Sequence, residues 1–149
     1  MIALLQRVSE ASVHVNGKVA GSIEKGILAL IGVQRNDERP QADRLLQRIL
    51  AYRIFPDDTD RMNLNLRQAS GGLLLVPQFT LAADTNSGNR PSFTPAAPPE
   101  TGELLFDYLV QQARQETDPC ASGIFGADMK VSLVNDGPVT FWLQVPPTA

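Results

Sequence analysis

The side chains that usually perform hydrolysis or bind metals are scarce in this sequence. It has one histidine, His14, and one cysteine, Cys120, among its 149 residues. A Ser-His-Asp or Cys-His arrangement needs a histidine beside the nucleophile, and His14 falls in a predicted N-terminal hairpin as an exposed strand residue. Zinc sites need several histidine or cysteine ligands. We therefore predict no metal, no cofactor, no disulfide within the chain and an incidental thiol at Cys120.

The strongest candidate for chemistry is instead a stretch of backbone, Asn135-Asp136-Gly137-Pro138. Two runs with alternating apolar residues, 129–134 and 139–145, flank it, and this pattern predicts a tight turn between two paired strands. Gly137 has no Cβ, so a ligand can approach its main chain closely, and Pro138 makes the preceding peptide bond a candidate for the cis isomer. An ordinary turn is the alternative, because only about 5–6% of X-Pro bonds are cis.

A second polar group follows a predicted buried strand. The apolar run 73–81 comes after Gly71-Gly72 and is interrupted by Pro77, which has no N–H for a sheet ladder and belongs at an edge, a bulge or a break. Gln78 and Thr80 lie beside that break. Thr80 has two interpretations, a β-branched strand residue or a polar residue of a site, and strand propensity alone favours the first.

Composition limits the classes of function. The chain has 43% hydrophobic and 19% charged residues, which suits one globular domain spanning 1–149. Its 13 basic and 16 acidic residues argue against sequence-independent adhesion to nucleic acid; we expect no DNA partner, while a small contact to an RNA end stays compatible. No apolar run approaches the roughly 20 residues of a membrane span, and the N-terminal residues lack a signal-peptide pattern. We expect a cytoplasmic protein without a membrane partner.

Strand signals recur along the chain. Asn16-Gly17 is the strongest hairpin signal, because a type I′ turn needs positive φ at both central residues. The glycine-bounded apolar run 26–33 predicts a strand that is buried on both faces at the centre of a sheet. The remaining predictions are strands at 2–8, 11–15 and 52–55, and polar loops at 57–66 and 84–99.

Two segments have helical spacing. The first opens at Arg39-Pro40, with Arg44 and Arg48 on its solvated side. The second starts near Pro99, a residue suited to the first turn of a helix. The residues predicted to face inward are Ala42, Leu45, Leu46, Ile49 and Leu50 in the first helix, and Leu104, Leu105, Tyr108 and Leu109 in the second.

The chain resembles the bacterial D-aminoacyl-tRNA deacylases from Met1 to about Val145. Gly137-Pro138-Val139-Thr140 is similar to one of the two signature motifs of that family. Gln78-Phe79-Thr80 is similar to the other, Ser-Gln-x-Thr, except that Pro77 stands at the serine position. The further matching stretches are Met1-Ile2-Ala3-Leu4, Gln6-Arg7-Val8, Tyr52-Arg53-Ile54-Phe55, Met62-Asn63-Leu64-Asn65, Leu81-Ala82-Ala83-Asp84, Arg90-Pro91-Ser92-Phe93 and Ala127-Asp128-Met129 through Val145.

The resemblance implies a homodimer of small barrel-like α/β subunits, each with two main helices. Such a protein hydrolyses the ester between a D-amino acid and the 3′ end of tRNA without metal or cofactor. The resemblance implies a catalytic site at Gln78, Phe79 and Thr80, with Thr80 as a wall or hydrogen-bonding residue. The 2′-hydroxyl of the terminal ribose would promote attack by water, while the protein supplies positioning and electrostatic preorganisation.

Chirality would be read by backbone atoms. The resemblance implies that Gly137-Pro138, which Val139 and Thr140 complete as a motif, is a cis pair that enters the partner subunit's active site. Its carbonyl groups would accept hydrogen bonds from the α-amino group of the substrate, and crowding would exclude the Cβ of an L-amino acid. Glycine mischarged on tRNA-Ala has no Cβ to be excluded and would also be hydrolysed. Three supporting residues match the family or stand beside its motif: Arg7 as the residue that orients the pair, Pro77 beside the site and Phe125 as a site-lining residue.

Two other functions stay open from the sequence. A protein that retains the substrate site but has lost turnover would bind D-aminoacyl-tRNA without hydrolysing it, and Pro77 in place of serine is compatible with such a loss. A deacylase could also act mainly on an achiral or L-amino acid mischarged on tRNA. Matched assays on D- and L-aminoacyl-tRNA separate these functions.

Overall fold

The computed structural model describes residues 1–148. They include a short 3-10 helix at Phe79–Ala82 and two α-helices, α1 (Arg39–Ala51) and α2 (Pro99–Glu116). Within residues 1–148 neither helix is long and apolar enough to cross a membrane. The strands are β1 (Ile2–Val15), β2 (Lys18–Ile23), β3 (Gly26–Gly32), β4 (Phe55–Pro56), β5 (Met62–Leu64), β6 (Gly72–Pro77), β7 (Cys120–Ser122) and β8 (Lys130–Gln144).

Strand β3 lies at the centre of the larger sheet, and this prediction is confirmed. The sheet order is β2-β1-β3-β6-β7, and β8 pairs with β1. β3 is antiparallel to β1 and parallel to β6, with α1 in the crossover between the two parallel strands. Six of its seven residues are buried, because packed residues cover both faces of the strand.

The sheet curls until its two outer strands meet. A Cβ built on Gly21 of β2 would lie 2.8 Å from the carbonyl oxygen of Ser122 in β7, so the two backbones are in close contact. Alternate residues of β6 belong to two hydrophobic cores. Leu73 and Leu75 pack with the helices, and Leu74 and Val76 pack in a smaller cluster on the opposite face of the sheet. The predicted α/β class, with a barrel-like sheet and two main helices, is confirmed.

The N-terminal hairpin differs from the prediction in one respect. Asn16 and Gly17 have φ values of 52° and 76°, as a type I′ turn requires. β1 is one strand of 14 residues, however, and not two short strands. Its first half pairs with β3 and its second half with β2, while β8 follows its other edge. His14 is half-buried in this strand and not fully exposed.

Helix α1 buries the apolar positions that its spacing predicted. The N–H of Glu38 donates to Oε1 of Gln41 at 2.7 Å, which caps the start of the helix. Helix α2 begins at Pro99 as predicted, but the inward position of Leu104 is wrong, because this side chain is 72% exposed. Leu104 lies off the buried stripe of this helix, which consists of Gly102, Leu105, Phe106, Leu109, Val110 and Ala113.

The segment between α1 and β6 contains strands where the sequence analysis placed a strand and a loop. The predicted strand 52–55 and the predicted polar loop 57–66 are replaced by an antiparallel pair, β4 and β5. Strands of two and three residues are too short to show a clear alternation of apolar and polar residues. Their pairing could therefore not be predicted from the sequence.

Strand β6 stops at Pro77, earlier than the predicted run 73–81. The chain then continues as the 3-10 helix, so the interpretation of Thr80 as a strand residue is wrong. Pro77 stays in register with Ile31 of β3, and the N–H of Gln78 donates to the Ile31 carbonyl oxygen at 2.7 Å. The prediction that Pro77 marks a break is confirmed.

The hairpin turn predicted at Asn135 to Pro138 is wrong. β8 is one strand of 15 residues that runs antiparallel to β1 along most of its length. The two apolar runs therefore pair with β1 and not with each other. Asn, Asp, Gly and Pro form an outward bulge within a strand here, because a bulge uses the same permissive residues as a turn.

Candidate active site

The bulge in β8 consists of residues 136–139. In the ladder between β8 and β1 these four residues face only Arg7, so the chain must bow outward there. Pairing with β1 continues on both sides of the bulge, although a second register shift follows between Val8 and Glu10. The flanking pairs are Gln6 with Thr140 and Val8 with Asn135.

The tip of the bulge presents main-chain atoms to solvent. Gly137 and Pro138 are exposed, and the peptide bond between them is cis. Gly137 has φ +148°, and a Cβ on it would lie 2.7 Å from the backbone nitrogen of Val139, so only glycine fits this conformation. Within residues 1–148 no side chain donates a hydrogen bond to either carbonyl oxygen of the pair, and neither residue has a ladder partner in β1. The carbonyl groups of this exposed segment can therefore accept donors from a ligand.

Arg7 supports the bulge from β1. Its Nε donates to the carbonyl oxygen of Asp136 at 3.0 Å, and its Nη1 donates to the carbonyl oxygen of Ile54 at 2.7 Å. The side chain is only 13% exposed; its bond to Ile54 is partly buried, and its bond to Asp136 lies at the surface. A planar guanidinium that bridges two carbonyl groups holds the residue before Gly137 at a fixed distance from the segment after α1.

Asn135 closes the bulge across its base. Its Oδ1 accepts a hydrogen bond from the N–H of Val139 at 2.9 Å, and its Nδ2 donates to Oγ1 of Thr140 at 2.9 Å. One amide side chain therefore links the two ends of the bulge. Val139 is buried, and Thr140 is exposed, so they act as an anchor and a surface contact respectively.

The second motif lies where β6 passes into the 3-10 helix. Nε2 of Gln78 donates to Oγ1 of Thr80 at 2.9 Å, which fixes both side chains and leaves the hydroxyl hydrogen of Thr80 free. Phe79 is 57% exposed, unusual for a large apolar side chain, and its ring packs against that of Phe93 with centroids 5.0 Å apart. Exposed rings beside polar groups are typical of a ligand site.

Two clefts meet at Pro77 and Phe79, and Phe125 lines both. The first has a volume of about 460 Å³ and is mainly apolar, with Phe93 and Arg35 among its lining residues. The second has a volume of about 360 Å³ and contains Gln78 and Thr80. An apolar space next to a small polar one suits a ligand that has a flat ring and a polar reacting group.

The two motifs are not brought together within one chain. Among the described residues, neither cleft is lined by any residue of the bulge. The second cleft ends near Val131 of β8, and a strand that rises about 3.3 Å per residue separates Val131 from Gly137 by about 20 Å. Gln78, Phe79, Thr80, Pro77 and Phe125 form one site, while Arg7 and residues 137–140 form another.

Cys120 lies outside both sites, in β7. Burial raises the pKa of its thiol above the ordinary value, with a smaller opposing effect from Arg114. A protonated thiol is a poor nucleophile. This position and environment fit an inert cysteine and leave the candidate chemistry to the two motifs.

The comparisons with known proteins decide the family. A family model described as D-Tyr-tRNA(Tyr) deacylase matches residues 4–144. The chain belongs to this deacylase family. A protein of Thioalkalivibrio sulfidiphilus named D-aminoacyl-tRNA deacylase is 67% identical over 147 residues, with 99% of each chain covered. One of Alkalilimnicola ehrlichii with the same name is 61% identical, covering 100% of this chain and 99% of the relative.

Solved structures agree with the fold of the deacylase family. A structure described as c-Myc DNA Unwinding Element Binding Protein has a TM-score of 0.93 and 35% identity, covering 98% of this chain and 99% of that chain. A second, described as a probable eukaryotic D-amino acid tRNA deacylase, has a TM-score of 0.83 and 17% identity, with 97% and 98% covered. The second comparison bears on the fold alone.

Several residues of this deacylase fold's candidate site could not be found from sequence. Phe93 and Arg35 reach the apolar cleft because the loop 92–97 docks on the end of β3, through bonds such as Arg35 N–H to the Pro95 carbonyl at 2.8 Å. Gly102 in α2 leaves space for the ring of Phe125, which lies 3.2 Å from the position of a Cβ there. A glycine inside a predicted helix was the available signal for that contact.

The bonds of Asn135 generate a prediction about the bulge. Replacing Asn135 with Ala leaves the partly buried N–H of Val139 without an acceptor, at a cost of about 1–3 kcal/mol. We expect lower stability to urea and faster hydrogen exchange at the Val139 amide, measured by NMR. Asn135→Asp is the matched control, because its carboxylate still accepts from Val139 and from the Thr140 hydroxyl. Unchanged protection of Val139 in Asn135→Ala would show that Asn135 does not close the bulge.

Proposed function

We propose that this protein hydrolyses the ester of D-aminoacyl-tRNA and releases the D-amino acid and tRNA. The observation that supports it best is the pair of carbonyl groups on an exposed Gly137-Pro138 bulge, braced by Arg7, in a member of the deacylase family. A site made of main-chain acceptors can bind an ammonium group without regard to the side chain of the substrate. The protein would act in the cytoplasm, where tRNA is charged.

The bulge would distinguish D- from L-amino acids by space. The carbonyl oxygens of Gly137 and Pro138 would accept hydrogen bonds from the α-ammonium group, so the substrate Cα would lie close against backbone. An L-configured Cβ would then point into the bulge, while a D side chain would point away from it. Glycine lacks a Cβ, so we propose that glycine mischarged on tRNA-Ala is also hydrolysed.

The apolar cleft would hold the terminal adenine of the tRNA. Phe79, Phe93 and Phe125 offer ring faces and edges there, and unpaired bases are commonly bound by stacking on aromatic side chains. The ribose and the ester would then lie near Gln78 and Thr80 in the adjoining cleft. This arrangement places the reacting carbonyl beside the first turn of the 3-10 helix.

The chemistry would rest on the substrate and on backbone dipoles. Within residues 1–148 the N–H groups of Phe79 and Thr80 have no acceptor, as expected for the first turn of a helix. They can stabilise the oxyanion that forms when water attacks the ester carbonyl. The 2′-hydroxyl of the terminal ribose would promote that attack, and the bonded pair Gln78 and Thr80 would position the ribose.

A complete site would need two subunits. The bulge and the clefts are about 20 Å apart along β8, too far for one rigid strand to join them. The outer edge of β8 has no pairing strand among the described residues, and Val134 and Trp142 are 50% and 54% exposed along it. A second copy that covers this edge would remove an aggregation-prone surface and could bring each bulge to the partner's clefts.

Two alternative functions are compatible with the same site. A binding-only protein and a deacylase for achiral or L-amino acids would use the same clefts. We propose no DNA-binding role, because the formal net charge is −3 and the aromatic cleft suits an unpaired base.

The first functional prediction concerns stereochemistry. The protein should hydrolyse D-tyrosyl-tRNA and glycyl-tRNA-Ala, and it should spare L-tyrosyl-tRNA by about 10²-fold or more, because a displacement of about 1 Å at the reacting group is enough for such a loss. Release of labelled amino acid under single-turnover conditions measures this ratio. Comparable rates on D- and L-tyrosyl-tRNA would favour the L- or achiral-substrate alternative. Tight retention of D-tyrosyl-tRNA without release would favour the binding-only alternative.

The second functional prediction concerns the 2′-hydroxyl group of the terminal ribose of the tRNA. D-tyrosyl-tRNA that ends in 2′-deoxyadenosine should react about 10²-fold more slowly or worse, the usual loss when a general acid-base group is removed. Competition binding of the deoxy substrate is the control and should change by less than about threefold, a difference of under 1 kcal/mol. Equal hydrolysis of both substrates would assign the chemistry to protein side chains, with Thr80 the first to replace.

The third functional prediction concerns an active site formed by the bulge of one subunit and the clefts of its partner. Gly137→Ala strains the bulge, and the double variant Gln78→Ala, Thr80→Val removes the polar groups of the cleft, so each homodimer should be inactive. A mixed dimer has one intact composite site, and unfolding and refolding equal amounts of both chains should restore about a quarter of the wild-type activity. If both motifs acted within one chain, the mixture would stay inactive. Sedimentation of the wild type checks for the dimer.

A further inference from the structure

Arg35 is the one charged side chain among the described residues that line the apolar cleft. It follows β3, where its N–H donates to the carbonyl oxygen of Pro95 at 2.8 Å. Its Nε donates to the carbonyl oxygen of Thr94 at 3.0 Å. Two bonds to one loop thus hold both its backbone and its guanidinium beside the cleft.

The terminal nitrogens of this guanidinium have no bond within residues 1–148, and no carboxylate of that range pairs with it. Arg35 is exposed, so its positive charge at the cleft is not neutralised. The other arginine of the two sites, Arg7, is by contrast shielded and bonded to two carbonyl groups. A held guanidinium with free N–H groups is prepared for an anion with two acceptor oxygens.

We infer that Arg35 binds the 5′ phosphate of the terminal nucleotide of the tRNA. This inference rests on the proposed function, which puts the terminal base in the apolar cleft. The phosphate is the charged group of a nucleotide and lies one ribose away from its base, so a base in the cleft brings it to the rim. The two terminal nitrogens of the guanidinium donate to two oxygens of the phosphate, and this contact positions the 3′ end beside the two clefts.

Two other roles for Arg35 predict different results. A guanidinium that stacks on the terminal base would act on the nucleoside and need no phosphate. A guanidinium that only fixes the loop carrying Phe93 would also affect every substrate of the cleft. Only a phosphate contact separates substrates with that phosphate from substrates without it.

The experiment compares D-tyrosyl-tRNA with 3′-O-D-tyrosyl-adenosine, which lacks the phosphate. Arg35→Gln removes the positive charge, and Arg35→Lys keeps the charge but lacks the planar pair of N–H donors. The matched control is Arg44→Gln, which removes a positive charge from the exposed face of α1. We expect Arg35→Gln to raise KM for the tRNA about tenfold and to lower the slope of log KM against log salt by about 0.7–0.9. Arg35→Lys should show a smaller loss. The adenosine ester should change less than about twofold in each variant, well under 1 kcal/mol.

Three outcomes would overturn the inference. An equal loss on the tRNA and on the adenosine ester would assign Arg35 to base stacking or loop support. No loss on either would show that Arg35 is dispensable, and an equal loss in Arg44→Gln would show a general effect of charge. If the wild type hydrolyses neither substrate, the proposed function fails, and NMR titration with AMP and adenosine tests Arg35 independently. AMP should then bind more tightly than adenosine, and a difference that persists in Arg35→Gln would overturn the inference.

Discussion

The register between β1 and β8 is the constraint on which the candidate site depends. Between the pair Glu10 and Val134 and the pair Gln6 and Thr140, β1 has three residues and β8 has five. This excess lies where β8 passes from one core to the other. Val131 and Leu133, before the bulge, pack against the smaller cluster, whereas Val139 and Leu143, after it, belong to the larger cluster beside the helices. A slip of one residue in the register after the bulge would turn Val139 and Leu143 away from the larger cluster, so the pairing fixes the length of the bulge.

This register also accounts for the bonds that hold the bulge. Arg7 is the β1 residue left opposite the bowed segment, where it has no regular partner in β8 and instead donates to the Asp136 carbonyl. Asn135 and Thr140 stand at the two ends, close enough for one amide to join them. Buried Val139 then returns the chain to the core. Exposure of the Gly137-Pro138 carbonyls is thus a consequence of strand pairing, and their orientation does not depend on a flexible loop.

Local sequence signals predict the structure correctly where neighbouring residues along the chain determine it. Asn16-Gly17 fixed its turn through positive φ, and the run 26–33 was correctly predicted as a buried strand because apolar residues on both faces need cover on both faces. The bulge could not be told from a hairpin turn, since both use Asn, Asp, Gly and Pro, and only pairing with a strand more than a hundred residues away distinguishes them. The predicted inward position of Leu104 was wrong for a similar reason, because the direction of the buried stripe of α2 depends on the residues against which the helix packs.

The candidate site combines residues that the sequence motifs indicate with residues that only the folded chain brings to the clefts. Gln78, Phe79 and Thr80 were identified through the family motif, and the structure puts them at a cleft. Arg35 and Phe93 reach the neighbouring cleft only because main-chain bonds dock the loop 92–97 on the end of β3. Such bonds leave no trace in residue type or spacing. Residues on docked loops are therefore the part of a site that sequence patterns reveal least.

Pro77, the departure from the family motif, fits the geometry of the sheet. The N–H of Leu73 and the carbonyl of Leu75 bond toward β7, whereas the N–H of Gln78 bonds toward β3. By this alternation the nitrogen of residue 77 faces the β7 side, where β7 has already ended, and the Cδ of the proline ring packs 3.4 Å from the position of a Cβ on Gly123. A proline is tolerated at this level because Pro77 is the last residue of β6 and lies past the end of β7 at Ser122. The N–H groups of Phe79 and Thr80, which face the cleft in the proposed mechanism, come after it and are unaffected. Relative to serine, the proline therefore removes one hydroxyl group and one N–H donor, retains the strand break, and leaves the N–H groups of Phe79 and Thr80 in place.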